Sequence, residues 1–377
     1  MEKINETVLL AIDFGNENLR VSVNHGKQVY VLKNVDNTYR FPQIIITNDR
    51  YSSIGTEAEK NLTAYSNCYF KDFKCNILKE PNNENYKACV IEVLKHYKQM
   101  SEEYVRKCFD YDETIDIIYL TIPIIDDSKE NIWKSILQYC CAEAGFKRIV
   151  QRAEELVGTI YFMQNYFEKE KWSSQAYCVF NLGSIYSYSS LWQLEKGEYF
   201  YKIIDKTNGC SDFYIYLQRF FNRKIREFFE KRIFSYFIKS DEYDSSFFNE
   251  KFFDENKKYL SECYKKYRQV LETFSGCTKS MQLQFRHLIE DQEIEIGISR
   301  KEIENEIEMV KANILTLINK TKEFLILNQI NKPIFLITIG NGIKFPDVQN
   351  LFKNEFKDDF HLRGVLCDEE LVKGAYE

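Results

Sequence analysis

The chain has 377 residues, 44% of them hydrophobic and including 29 Phe and 26 Tyr, more than a single core usually holds, so two lobes are expected. A formal net charge of −6 excludes a broad electrostatic footprint for nucleic acid, and no apolar run approaches the roughly 20 residues that span a bilayer. Eleven cysteines without a CxxC spacing and four scattered histidines (His25, His96, His287, His361) point to reduced thiols in a cytoplasmic protein, not to a disulfide framework or a zinc site.

Strand-like runs come first: TVLLAID, LRVSVN, QVYVLK, and QIIITN after Pro42. Residues 83–109 read as a helix with Val90, Val93, Leu94 and Tyr97 on one side. TIDIIYLTIP (114–123) is a continuous apolar run of the kind that forms a buried central strand. An amphipathic helix follows, with Asp127 or Ser128 as its cap and Gly145 at its end. RIVQRAEELVGTIYFMQNYF then reads as a short strand and a helix.

The second half repeats the plan, with hairpin strands at 176–204, a Gly209 turn and a long helix to about Lys239. Residues 240–258 lack a clear period and read as a loop or insertion. A helix to about Phe274, two strands within 281–298 and a helix opened by Ser299 at capping-box spacing come next. PIFLITIG (333–340) is the last buried strand and runs into the turn NGIKFP. Strand groups followed by helices, given twice, predict an α/β architecture.

Two stretches far apart are alike: LLAIDFGNENLRVSV (9–23) and AYCVFNLGSIYSYSSLW (176–192). Each is an apolar strand that reaches Asp or Asn, one residue, then Gly, and then a second strand. This is a hairpin whose tip carries an acid or amide and a residue free to take positive φ.

With these hairpins in place, the sequence resembles the nucleotide-binding domain of the heat-shock protein seventy family, within the actin and sugar-kinase superfold. AIDFGNEN is similar to the first phosphate hairpin and VFNLGSIYSYSSL to the second. RFPQIIITNDRYSSIGTEAEKN resembles the strand, turn and helix after the first hairpin, and the segment from IIYLTIP to RAEELVGTIYF the central strand, helix and connecting segment. NGCSDF is similar to the Gly-Gly-acid-Asp-Phe turn, and EIGISRKEIENEI to the entry to the last large helix. ITIGNGIKFPDVQNLF resembles the adenosine turn, and DEELVKGAYE the closing helix.

The resemblance implies a two-lobed, duplicated ribonuclease-H-like fold with a central cleft. Lobe I would take residues 1–172, lobe II residues 173–354, and residues 355–377 would return to lobe I. The chain stops where the family continues into its client-peptide domain, so no self-contained client-binding half is expected.

The same resemblance assigns roles. Asp13 would orient metal-bound water, Lys74 would reach the reacting phosphate (Lys71 offers an alternative register), and Glu154 matches the glutamate of the family's Glu-Pro-Thr-Ala segment. Gly15, Asn16, Asn18, Asn181, Gly183, Ser184, Gly209, Ser275, Gly340 and Asn341 would line a site for ATP or ADP with Mg²⁺. Lys265 and Arg268 are further candidates near the adenine.

A β-turn Asp-x-Gly, a surface lysine and a helix-opening acid explain Asp13, Lys74 and Glu154 without a ligand. Several positions depart from the family. Asn181 stands for an aspartate, Ser184, Ile185 and Tyr186 for Gly, Gly and Thr, and Cys210 for a glycine. Glu17 brings a carboxylate that, about 5 Å from a phosphate charge, would cost about 3 kcal/mol at an effective dielectric of 20.

The leading expectation is an adenine-nucleotide-binding protein with weak or absent ATP hydrolysis that modulates an unidentified protein partner. The rival is a pseudo-ATPase scaffold that binds no nucleotide, and a third reading is a filament subunit or small-molecule kinase of the superfold. The basic aromatic helix at 216–239 reads as a packed lobe helix, with a partner or acidic-membrane surface as the sharper idea.

Overall fold

Alternating burial in the first strands already fixes two faces. In β1 (Leu9–Phe14), Leu10, Ile12 and Phe14 join one core while Ala11 joins another, as side-chain alternation along a strand requires. The computed structural model describes residues 7–15, 17–26, 28–48, 51–110, 112, 114–122, 127–166, 175–183, 186–195, 198–208, 211–235, 250–275, 278–286, 293–330, 334–356, 361–365, 373 and 375–376.

After β1 come β2 (Asn18–His25), β3 (Gln28–Val31), β4 (Phe41–Pro42), β5 (Ile44–Asn48), β6 (Tyr51–Ile54) and α1 (Thr56–Asn61). Then follow β7 (Tyr69–Lys71), α2 (Phe73–Lys79), α3 (Glu84–Phe109), β8 (Ile117–Ile122), α4 (Asp127–Glu143), β9 (Arg148–Ala153) and α5 (Glu154–Tyr166). The helix expected from residue 83 forms as α3, with the Asn83 side chain accepting from the backbone N–H of Asn85. Its predicted apolar side (Val90, Val93, Leu94, Tyr97) is buried against β1, β2 and β8. α4 starts at Asp127, and the chain turns away beyond it at Gly145, where φ is +85°.

The second half contains β10 (Ala176–Leu182), β11 (Tyr186–Glu195), β12 (Glu198–Asn208), α6 (Ser211–Ser235), α7 (Glu250–Glu255) and α8 (Lys257–Ser275). It continues through β13 (Ser280–Arg286), β14 (Glu293–Ser299), α9 (Arg300–Glu306), α10 (Glu308–Leu327), β15 (Ile334–Ile339), α11 (Pro346–Glu355) and β16 (His361–Val365). The 240–258 stretch is not simply a loop. Its described part forms α7 and opens α8, because Phe253 is buried among aromatic side chains of that half. The capping box at Ser299 forms with Glu302 as read from the spacing.

The two main sheets share one plan. The first runs β3-β2-β1-β8-β9, with β4 also on β2, and the second runs β12-β11-β10-β15-β16. In each, three strands are joined antiparallel in order, and the first strand then pairs parallel with a later one. The architecture is therefore mixed α/β. Cys178, Phe180 and Leu182 face α6, α10 and α11. Tyr177 and Val179 face a core shared with Ala11 of β1 and with Val157, Phe162 and Met163 of α5.

Helix α5 thus lies between the two sheets and holds them together at the base. Ala375 is buried in that same core, and the Tyr376 hydroxyl donates to the Ser22 carbonyl at 2.7 Å. Among the described residues no helix is long and apolar enough to cross a membrane.

Candidate functional site

The repeated hairpins have the same pairing register. The last paired residues are Phe14 with Leu19 and Leu182 with Ser187, so each tip holds four residues. One step back, Asp13 sits opposite Arg20 and Asn181 opposite Tyr188. Asp13 has the strand parity of Ala11 and Asn181 that of Val179, so both polar residues belong to the faces turned toward the other half.

Each is bonded sideways by its own neighbours. Asp13 is only 2% exposed. Its Oδ2 accepts from Arg20 Nη1 at 2.8 Å and its Oδ1 from Thr121 Oγ1 at 2.6 Å. Thr121 is the residue beside Asp13 on the parallel strand β8. Both oxygens are thus engaged, and the charge is met by a guanidinium that is itself buried.

Asn181 is also buried, but it reaches across to the first half. Its Nδ2 donates to Glu154 Oε2 at 3.0 Å and to Glu155 Oε1 at 2.8 Å, and lies 3.1 Å from the Tyr188 hydroxyl. The Tyr188 hydroxyl donates to Glu155. These contacts explain the amide. An aspartate here would place a third carboxylate against two buried ones and remove the donor they share.

The tips are braced at close range. A Cβ on Gly15 would stand 2.3 Å from the Asn18 carbonyl oxygen. The buried Gln43 donates from Nε2 to the Gly15 carbonyl and from its backbone N–H to that of Glu17. Asn18 is buried and pairs with Pro42. Gly340 has φ +90°, and a Cβ there would stand 2.5 Å from the Leu182 carbonyl oxygen, so it lets the chain leave β15 directly against the second tip. Asn341 opens the short 3₁₀ turn that follows.

Of the other expected residues, Gly183 is the first of the second tip. Asn16, Ser184, Ile185, Gly209 and Cys210 lie outside the described residues, as do the side chains of Lys74, Tyr186, Arg268, Ser275 and Asn341. Lys74 is placed in α2, whose N-cap Asp72 has φ +56°. Lys71 and Lys265, offered above as ligand contacts, each contact the other half of the protein. Lys71 Nζ lies 4.3 Å over the Tyr264 ring, and Lys265 Nζ donates to Thr63 Oγ1 at 2.8 Å.

On the basic aromatic helix, Phe221 and Ile225 are buried, and Arg223 and Lys224 pair with Glu306 and Glu302. As far as Phe228 this is the packed-helix reading; the side chains of Phe229, Ile233 and Phe237 lie outside the described residues. Arg20, Thr121, Glu155 and Tyr188 were not chosen from sequence as partners. For Arg20 and Tyr188 the signal was present, because both hairpins carry the cross-strand partner seven residues after the polar residue.

Among the described residues no three His, Cys, Asp or Glu side chains come together as metal ligands. Of the described residues to which the resemblance gives a metal or catalytic role, both Asp13 and Glu154 are engaged by protein partners. Asp13 is already neutralised by Arg20, and Asn181 and Glu154 bond to each other. Burial pushes the thiols of Cys89 and Cys140 up to about 12, which makes both poor nucleophiles. No protein-family model matches the chain, and a search of curated proteins finds no match.

Proposed function

We propose that the chain is a duplicated, two-lobed protein of the actin-like kind, close to the heat-shock seventy nucleotide-binding domain in plan. In this reading it hydrolyses no ATP and acts as an interaction scaffold. The shared strand order of the two sheets and the paired hairpins support the fold reading. One observation carries the functional reading: the groups that would handle metal and water are bonded to protein partners, Asp13 to Arg20 and Thr121, and Glu154 to Asn181. Recruiting Asp13 to a metal's water shell would break its buried ion pair with Arg20, and breaking a buried pair costs about 3–5 kcal/mol.

A second reading, adenine-nucleotide binding without turnover, is favoured by the tight backbone turns at Gly15 and Gly340, the features that let a main chain approach phosphate. Thermal denaturation with MgATP, MgADP and EDTA, run beside a phosphate-release assay, separates these readings. The scaffold gives no shift at millimolar nucleotide. Ligand at 100 times its Kd would stabilise by about 2.7 kcal/mol and raise Tm by a few degrees. Phosphate release that is lost in Asp13→Asn would overturn both.

A further inference from the structure

The two halves meet a second time, in a hydrophobic cluster distinct from the α5 core. Tyr264 of α8 is 5% exposed and sits in an apolar pocket made by Ile44, Ile46, Ala58 and Leu62 of the first half. Around it lie polar ties. Thr63 Oγ1 donates to Glu262 Oε1 at 2.7 Å, and Lys265 Nζ reaches both Thr63 and the Lys60 carbonyl. Ser261 is hydrogen-bonded to Tyr69, and the Lys71 ammonium caps the Tyr264 ring. A buried tyrosine within another half's pocket, flanked by part-buried polar pairs, has the make-up of a permanent interface and not of a grazing contact.

We infer that this contact is a standing lock, which holds the two halves together in the absence of any ligand. The halves are already bound through α5 and the Asn181 cluster. With the Tyr264 contact as well, they are fixed by two separate clusters, and rocking about α5 requires Tyr264 to leave its pocket. Burial pushes the Lys265 ammonium pKa down, opposed by the nearby Glu262 and Glu59, in keeping with a lysine partly withdrawn from water in the contact. The lock does not depend on whether nucleotide binds.

The test is small-angle scattering combined with amide hydrogen exchange on the full chain. The wild type should give a radius of gyration near the ~21 Å of a compact chain of this length, unchanged by millimolar MgATP. Tyr264→Ala should expand it and raise exchange at least tenfold in both 56–71 and 257–268, while β1 and β8 keep their protection. Should Tyr264→Ala fail to fold, Thr63→Ala/Lys265→Ala should give the same pattern at smaller amplitude. A wild type that is already expanded, or that contracts with MgATP, overturns the lock. So does a folded variant whose scattering curve matches that of the wild type.

Discussion

The two hairpin tips are built on one backbone plan yet settle a buried polar residue in opposite ways. In the first, Asp13 finds its cation and its hydroxyl within its own sheet, from the cross-strand Arg20 and the parallel neighbour Thr121. In the second, Asn181 carries no charge and uses its donor to hold two glutamates from the other half. The first tip is therefore self-contained, and the second is a joint between halves. Two hairpins can keep the same pairing register and still settle the polar residue at the same position in different ways.

That contrast can be broken most severely at the first tip. Arg20→Met leaves Asp13 charged, buried and without its cation, and should cost about 3–5 kcal/mol in denaturant titrations. Adding Asp13→Asn should return much of that loss, and a double mutant with no recovery would deny the ion pair its role. At the second tip, Asn181→Asp should cost about 3 kcal/mol. Here the loss should loosen contacts between halves, read as faster amide exchange in α5, whereas Arg20→Met leaves α5 protected.

The smallest effect is expected at a control pair outside both tips. Burial works against the charged form of Glu302, but hydrogen bonds from Lys224 and Ser299 outweigh it and hold the carboxyl at about 2. A lowered pKa means its stabilisation is complete above the ordinary carboxylate value of about 4.3 and fades as pH falls from there through about 2. Glu302→Gln should flatten that part of an acid-denaturation curve without altering α5 exchange.

Much of the fold was legible because the strands announce themselves locally. Buried runs such as IIYLTI and IFLITI, the Asn83 and Ser299 caps and the two similar hairpins depend on residues close in sequence. The site was less legible because its partners are set by register and by distant packing. Thr121 meets Asp13 across 108 residues and Glu155 meets Asn181 across 26, and neither pairing leaves a local pattern. The Tyr264 pocket joins segments about 200 residues apart, as the Thr63–Glu262 bond shows. It reads from sequence only as one more aromatic residue on a helix. Taking α7 for a loop has a similar cause, since its short helix is held by Phe253 packing and not by a clear period.

The Tyr376 hydroxyl, lodged between Leu9 and Ser22, ties the order of synthesis to the order of completion. The two members of that contact lie 354 residues apart. At 5–20 residues per second, a ribosome needs roughly 20 to 70 s to cover the interval. Throughout that time the β1–β2 hairpin exists without the Tyr376 hydroxyl, a partner made 354 residues after Ser22.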